Sequence, residues 1–155
     1  NGDPNKKMNP PLRSKEDVEA VKEALRNGTI DVIATDHAPH SKEEKSKPIE
    51  KALNGIVGIE TSFALSYTYL VKTGILTPIE LINKMSTKGA EILDIDRGTL
   101  KVGSIADIAL FDVTNEYEIK EEDFKSKSHN SPFIGMNVYG RTVQTFVAGK
   151  CKYKR

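Results

Sequence analysis

The segment Thr35-Asp36-His37-Ala38-Pro39-His40 holds the densest chemistry in the chain. It follows a run, Ile30 to Thr35, that reads as a buried strand interrupted only by Asp31. In parallel α/β folds the C-terminal strand ends open into one shared mouth and carry the reacting groups. Asp36 is the first residue off that strand, where a carboxylate can bind a metal, act as a base, or do both. Pro39 between His37 and His40 opposes a helix, so the two rings need not point the same way. The same residues also read as an ordinary loop with a turn-forming Asp. A second candidate is Asn9-Pro10-Pro11-Leu12-Arg13. Two prolines hold it rigid, which would fix the Asn9 amide to read a planar amide or imide and offer Arg13 to a carboxylate. A plain rigid connection is the competing reading. Asn54-Gly55-Ile56-Val57-Gly58 lets backbone approach a ligand closely, but it is neither G-x-G-x-x-G nor a Walker A sequence. His129 and the lone Cys151 have no chemical neighbours in sequence and read as surface and incidental residues.

The elements that must position these groups are legible in part. Ser14 with Asp17 is a helix start, Val18, Val21 and Leu25 follow at helical spacing, and Gly28 is placed to end the helix. Residues 36 to 54 form a long polar loop, and its Lys/Glu run at 42–47 reads as solvated surface. A second helix is expected from Ile59 to about Lys72, with Phe63, Tyr67 and Tyr69 as core. Thr77-Pro78-Ile79-Glu80 opens a third, to about Met85, with a short one around Gly89–Leu93. Beyond Gly98 the pattern changes. Ala106 to Phe111 reads as a strand ending at Asp112. Thr142 to Val147 alternates as a half-buried strand, and Cys151–Tyr153 returns after a turn at Ala148-Gly149.

Composition narrows the classes. The chain has 155 residues, 23 Lys+Arg, 22 Asp+Glu and a formal charge of +1. It can bury a core but is too short for a complete (β/α)₈ barrel, which needs roughly 200 residues. Near-neutral charge gives no case for nucleic acid or a membrane surface. No apolar run reaches the ~18 residues of a membrane helix, and the polar start Asn1-Gly2-Asp3-Pro4 is no signal peptide. One cysteine fits a reducing, cytoplasmic compartment. The absence of a starting Met suggests part of a longer chain.

Lys7-Met8-Asn9-Pro10-Pro11-Leu12-Arg13 and Ala34-Thr35-Asp36-His37-Ala38-Pro39-His40 together resemble the dihydroorotases of the bacterial type-I pattern, metal-dependent amidohydrolases of pyrimidine biosynthesis. Glu43-Glu44-Lys45, Glu50-Lys51, Gly55-Ile56-Val57-Gly58-Ile59-Glu60-Thr61 and the tail segments Gly98-Thr99-Leu100, Gly103, Ala106-Asp107 and Phe111-Asp112 extend the likeness over nearly the whole chain. The resemblance implies an α/β fold: residues 1–95 as the last β/α units of a TIM-type (β/α)₈ hydrolase barrel, and 96–155 as strands of its small β-sandwich. It implies reversible hydrolysis of dihydroorotate to N-carbamoyl-aspartate with zinc, one or two ions, as cofactor. Asp36 would be a metal ligand and the proton shuttle to the leaving ring nitrogen. His40 would hold the substrate carboxylate, Asn9 the ring, and Gly55 would contact it through its backbone. Asn54 departs from the pattern, standing where an apolar or aromatic residue is usual. The family's His-x-His motif, its bridging group and its two later metal histidines are not in these residues. The chain is therefore expected to be a C-terminal portion, inactive alone, completed by the missing N-terminal part and forming a homodimer. A non-catalytic dihydroorotase-like partner of aspartate transcarbamoylase, and another cyclic amidohydrolase such as allantoinase, are the rival readings.

Overall fold

The structure is a computed structural model and describes residues 2–155; Asn1 lies outside the described residues. Among the described residues five α-helices precede five strands: α1 Lys15–Arg26, α2 Lys42–Lys45, α3 Ser62–Ser66, α4 Pro78–Ile82, α5 Lys88–Ile92, then β1 Ile108–Asp112, β2 Tyr117–Glu118, β3 Asn137–Val138, β4 Arg141–Val147 and β5 Lys150–Lys154. The ladders are all antiparallel: a three-stranded sheet in the order β1-β4-β5 and a two-stranded β2-β3 pair. The β4–β5 hairpin turns at Ala148 and Gly149, both at positive φ.

Reciprocal caps set the helix starts. Ser14 and Asp17 cap α1, Ser41 and Glu44 cap α2, and Thr77 and Glu80 cap α4, each with the side chain and the backbone N–H exchanged both ways. No breaker follows α4. The backbone stays helical through a π-helical turn, Asn83–Thr87, and into α5, so the two expected helices are one continuous run. In the preceding helix α3 passes into a π-helical turn, Tyr67–Val71, in the same way. It begins at Ser62, not Ile59. Ile59 is 62% exposed, and Tyr69, expected in the core, is 46% exposed on the outer face.

The core has two parts. Leu25, Leu70, Leu76 and Leu81 pack with Ile30, Ile33, Phe63, Tyr67 and Met85. Val57 and Ala64 pack with Ile119, Phe124 and Val138. The second cluster, and the Phe63 ring stacked 3.6 Å from that of Phe111, join residues on both sides of position 96. In α1 only Leu25 of the apolar stripe is buried; Val18 and Val21 are about half exposed.

The strand expected over 30–35 is not formed. A strand exists by its ladder, and no described segment lies alongside to supply one. Lys84 takes that place in part. Its Nζ donates to the Ile30 carbonyl at 2.6 Å and its carbonyl accepts the Ile33 N–H at 3.0 Å. Ile30, Val32 and Ile33 are half-buried and Ala34 is exposed. No helix of the described residues is long and apolar enough to cross a membrane.

Candidate active site

Three segments far apart in sequence meet at one edge. Residues 36–40 lie against 55–58 through two hydrogen bonds, one of them backbone to backbone: the Ala38 N–H donates to the Ile56 carbonyl at 2.8 Å, and the Gly58 N–H donates to the His37 side chain at Nδ1 at 3.0 Å. Residues 7–9 join from the other side, since the Gly55 N–H donates to the Lys7 carbonyl at 2.9 Å. The Lys7 Nζ donates to Ala52 at 2.8 Å. The sequence candidates Asp36, His40 and Gly55 lie on segments in direct contact, and Asn9 lies two residues beyond Lys7, which is tied to Gly55.

Two glycines make this approach possible. Gly55 sits at φ +121°, and a Cβ there would fall 2.5 Å from Ala38 Cβ and 3.2 Å from His40 Nε2. At Gly58 a Cβ would come within 2.9 Å of the Thr35 carbonyl oxygen. The sequence flagged these glycines for close approach to a ligand; here they also permit close approach of one loop to another.

Asp36 is exposed and holds φ +42°. The left-handed region is costly for most residues and least so for Asp, Asn and Gly. Such strain is often stored where chemistry is done. His40 is 20% exposed at its side chain. Its Nε2 lies 2.8 Å from the Asn54 carbonyl and acts as the donor to it. Its Nδ1 lies 3.9 Å from Glu44 Oε2. The backbone of Asn54, not its side chain, makes this contact, so the departure from the family pattern at position 54 leaves it intact. The Ser41 N–H and hydroxyl hold the Glu44 carboxyl below its usual range, with His40 adding a smaller pull. Asn9 is exposed, and the peptide bond to Pro10 is cis. Arg13 pairs with Asp17 at the start of α1, at 3.3 Å with both side chains largely in solvent.

Two residues central to this edge were given no role from the sequence. Asn130, only 6% exposed, accepts the His40 N–H on Oδ1 at 3.1 Å. Its Nδ2 donates to the Ala38 carbonyl at 3.0 Å and the Gly55 carbonyl at 3.2 Å. Lys45 corrects the reading of 42–47 as solvated surface. It is 6% exposed, and its Nζ donates to the carbonyls of Leu53 at 3.0 Å and Gly55 at 3.1 Å. Desolvation by burial pushes its pKa below the usual lysine range, and nearby Lys7 adds to that against the pull of Asp3. Glu60 also reaches across, accepting the Lys125 and Ser126 N–H groups at 2.7 and 2.9 Å. His129 is the surface residue expected, beside Glu121 at 3.2 Å, and Cys151 is exposed.

Among the described residues no group of three or more His, Cys, Asp or Glu is arranged to hold a metal. A protein metal centre needs at least three such donors, so these residues do not fit a complete metal site by themselves.

The amidohydrolase family profile matches residues 6–152. Relatives include the dihydroorotases of Geobacter metallireducens, 55% identical over 153 residues, and of Staphylococcus aureus strain N315, 52% identical over 148. The alignments cover 99% and 96% of this chain but 36% and 35% of those proteins. The chain thus spans about a third of the length of the curated relatives it matches. Among solved structures, the L-hydantoinase (dihydropyrimidinase) of Arthrobacter aurescens superposes with a TM-score of 0.89 at 37% identity, covering 96% of this chain and 34% of that one. The D-hydantoinase (dihydropyrimidinase) of a Thermus species does so at 0.88 and 31%, covering 97% and 34%. The fold is accordingly an α/β amidohydrolase fold, and the chain belongs to the amidohydrolase family.

Proposed function

We propose that this chain is the C-terminal portion of a cytoplasmic dihydroorotase, the enzyme that interconverts dihydroorotate and N-carbamoyl-aspartate. In this reading residues 1–95 close the hydrolase barrel and 96–155 belong to its small β-sandwich. The observation that carries the reading is the contact of the Asp36–His40 segment with the Asn54–Gly58 segment, to which Lys7, two residues before Asn9, is also tied. The dihydroorotase relatives at 52–55% identity support it.

The roles follow from the groups. His40 is assigned the substrate carboxylate; the Asn54 carbonyl holds its Nε2, which leaves Nδ1, near Glu44, as the other ring nitrogen. Asn9 can donate and accept at once, which suits a ring imide. Gly55 is assigned the ring contact through its segment, whose closeness to Ala38 and His40 requires the missing Cβ and whose peptide is held by Lys7, Lys45 and Asn130. Asp36 takes the proton from the attacking water. It returns that proton to the ring nitrogen as the C–N bond breaks, so one carboxylate serves as base and then acid. Zinc, with Asp36 as this chain's share of its ligands, belongs to the full-length site.

The test is a dihydroorotate hydrolysis assay on the full-length protein, with hydantoin, dihydrouracil and allantoin as competitors for the assignment. Preferred turnover of dihydroorotate supports the reading. Preferred turnover of a ring without the carboxylate overturns it.

A further inference from the structure

The Gly55 carbonyl is held from two directions by buried side chains, the Lys45 ammonium at 3.1 Å and the Asn130 amide at 3.2 Å. Lys45 reaches it from within the same loop and also holds Leu53. Asn130 arrives from the C-terminal β region and grips the opposite segment as well, at the Ala38 carbonyl and the His40 N–H. Its own carbonyl accepts the Val57 N–H at 3.1 Å. A buried amide with every hydrogen-bonding group engaged permits one arrangement of the loops it joins. Asn130 thus adds three bonds to the ties that Ala38, His37 and His40 already make between the two segments, and Lys45 joins Lys7 in placing the Gly55 peptide.

We infer that Asn130 and Lys45 are positioning residues for substrate recognition, fixing the His40 and Gly55 segments as the two sides of the surface that receives the carboxylated ring. The inference rests on the dihydroorotase reading for the identity of the substrate, but the clamp is independent of it. Neither residue touches the reacting atoms. Their effect therefore falls on the fit of the ring and its carboxylate more than on the proton transfer at Asp36.

The experiment uses the full-length protein with four substitutions. Asn130→Asp keeps the size and the acceptor but removes both donated bonds; Asn130→Ala removes all of them. Lys45→Met keeps the stem without donors, and Lys45→Arg restores donors. Asn130→Asp and Lys45→Met are expected to raise KM for dihydroorotate roughly tenfold, the effect of losing one charged or buried hydrogen bond's worth of orientation, with kcat changed less than about threefold. Lys45→Arg is expected to recover much of the loss. Unchanged KM in folded Asn130→Asp and Lys45→Met proteins overturns the inference, as does an equal fall in kcat with loss of bound metal. If the wild-type protein does not turn over dihydroorotate, the functional reading has failed on its own. Amide hydrogen exchange of His40 then decides the clamp. Faster exchange in Asn130→Ala than in wild type supports it, and equal protection overturns it. If Asn130→Ala does not fold, the same comparison is made with Asn130→Asp at Ala38 and Gly55.

Discussion

His37 accepts the backbone N–H of Gly58 on Nδ1 at 3.0 Å, with the Ile59 N–H at 3.4 Å on the same atom. An acceptor at Nδ1 places the proton of the neutral ring on Nε2. Both histidines of the Asp-His-Ala-Pro-His run thus serve the backbone of the second loop, His37 by accepting from Gly58 and His40 by donating to Asn54.

Replacing His37 by Phe leaves the buried Gly58 N–H without its acceptor. That change is expected to cost about 1–3 kcal/mol in stability. His37→Asn can present an oxygen near the Nδ1 position and is expected to recover part of the loss. Denaturant unfolding of both variants checks this. Equal destabilisation by Phe and Asn would show that the acceptor at Nδ1 is not what matters.

Asp36 combines a left-handed backbone, φ +42°, with an exposed carboxylate. Asn also tolerates that conformation, so Asp36→Asn keeps the loop and removes the base together with the anionic metal ligand. In the full-length enzyme kcat is expected to fall by roughly 10²-fold or more, with thermal stability near that of wild type. A variant with near-normal kcat would remove Asp36 from the proton transfer.

His40→Ala tests the other half of the site. The ring donates to the Asn54 carbonyl and stands beside Glu44. Its loss is expected to weaken dihydroorotate binding by about 1–3 kcal/mol, the scale of a hydrogen bond to a charged group. Bound metal should stay near its wild-type content. Steady-state kinetics with metal analysis separates the outcomes: loss of metal with unchanged KM would mean that His40 is a ligand.

How much of this was legible in the sequence depended on where the signal resides. Caps are local, and Ser14 with Asp17 and Thr77 with Glu80 announced their helices in four residues. The β4–β5 hairpin was equally plain from alternation and the Ala148-Gly149 turn. The run at 30–35 has the composition of a strand, but pairing is a relation between segments, and no described segment forms a ladder with it. The helix from Pro78 to Ile92 was divided because the polar stretch Asn83 to Thr87 broke the apolar period without breaking the backbone. Asp36, His40, Asn9 and Gly55 were visible through motif and resemblance. Asn130 was not, and Lys45 stood in the resemblance without a role, since a lone Asn in Ser-His-Asn-Ser and one Lys among six charged or polar residues gain meaning only from the carbonyls that fold around them.

Asp112 offers a pH test of the β region. Its Oδ1 accepts the N–H groups of Thr114 and Asn115 at 2.9 and 3.2 Å, and its Oδ2 accepts the Asn115 amide at 2.8 Å. These bonds, the Asn115 side chain first and the backbone N–H groups after it, lower the pKa from 3.8 to about 2. The folded state thus binds this proton less readily than the unfolded chain. The contribution to stability is fully present above the unfolded value and is lost as pH falls through the folded one. Asp112 closes β1, opposite Arg141 across the ladder, and its carbonyl accepts the Gly140 N–H at 3.0 Å. Protonation therefore loosens the turn at 112–115 where the chain leaves the sheet. Carboxyl NMR is expected to show Asp112 titrating near pH 2, well below a free aspartate. Asp112→Asn is expected to flatten the acid dependence of stability between about pH 4 and 2, relative to wild type. A midpoint close to that of unfolded Asp, or an unchanged acid limb in the variant, would mean that the three hydrogen bonds do not form as a set in solution.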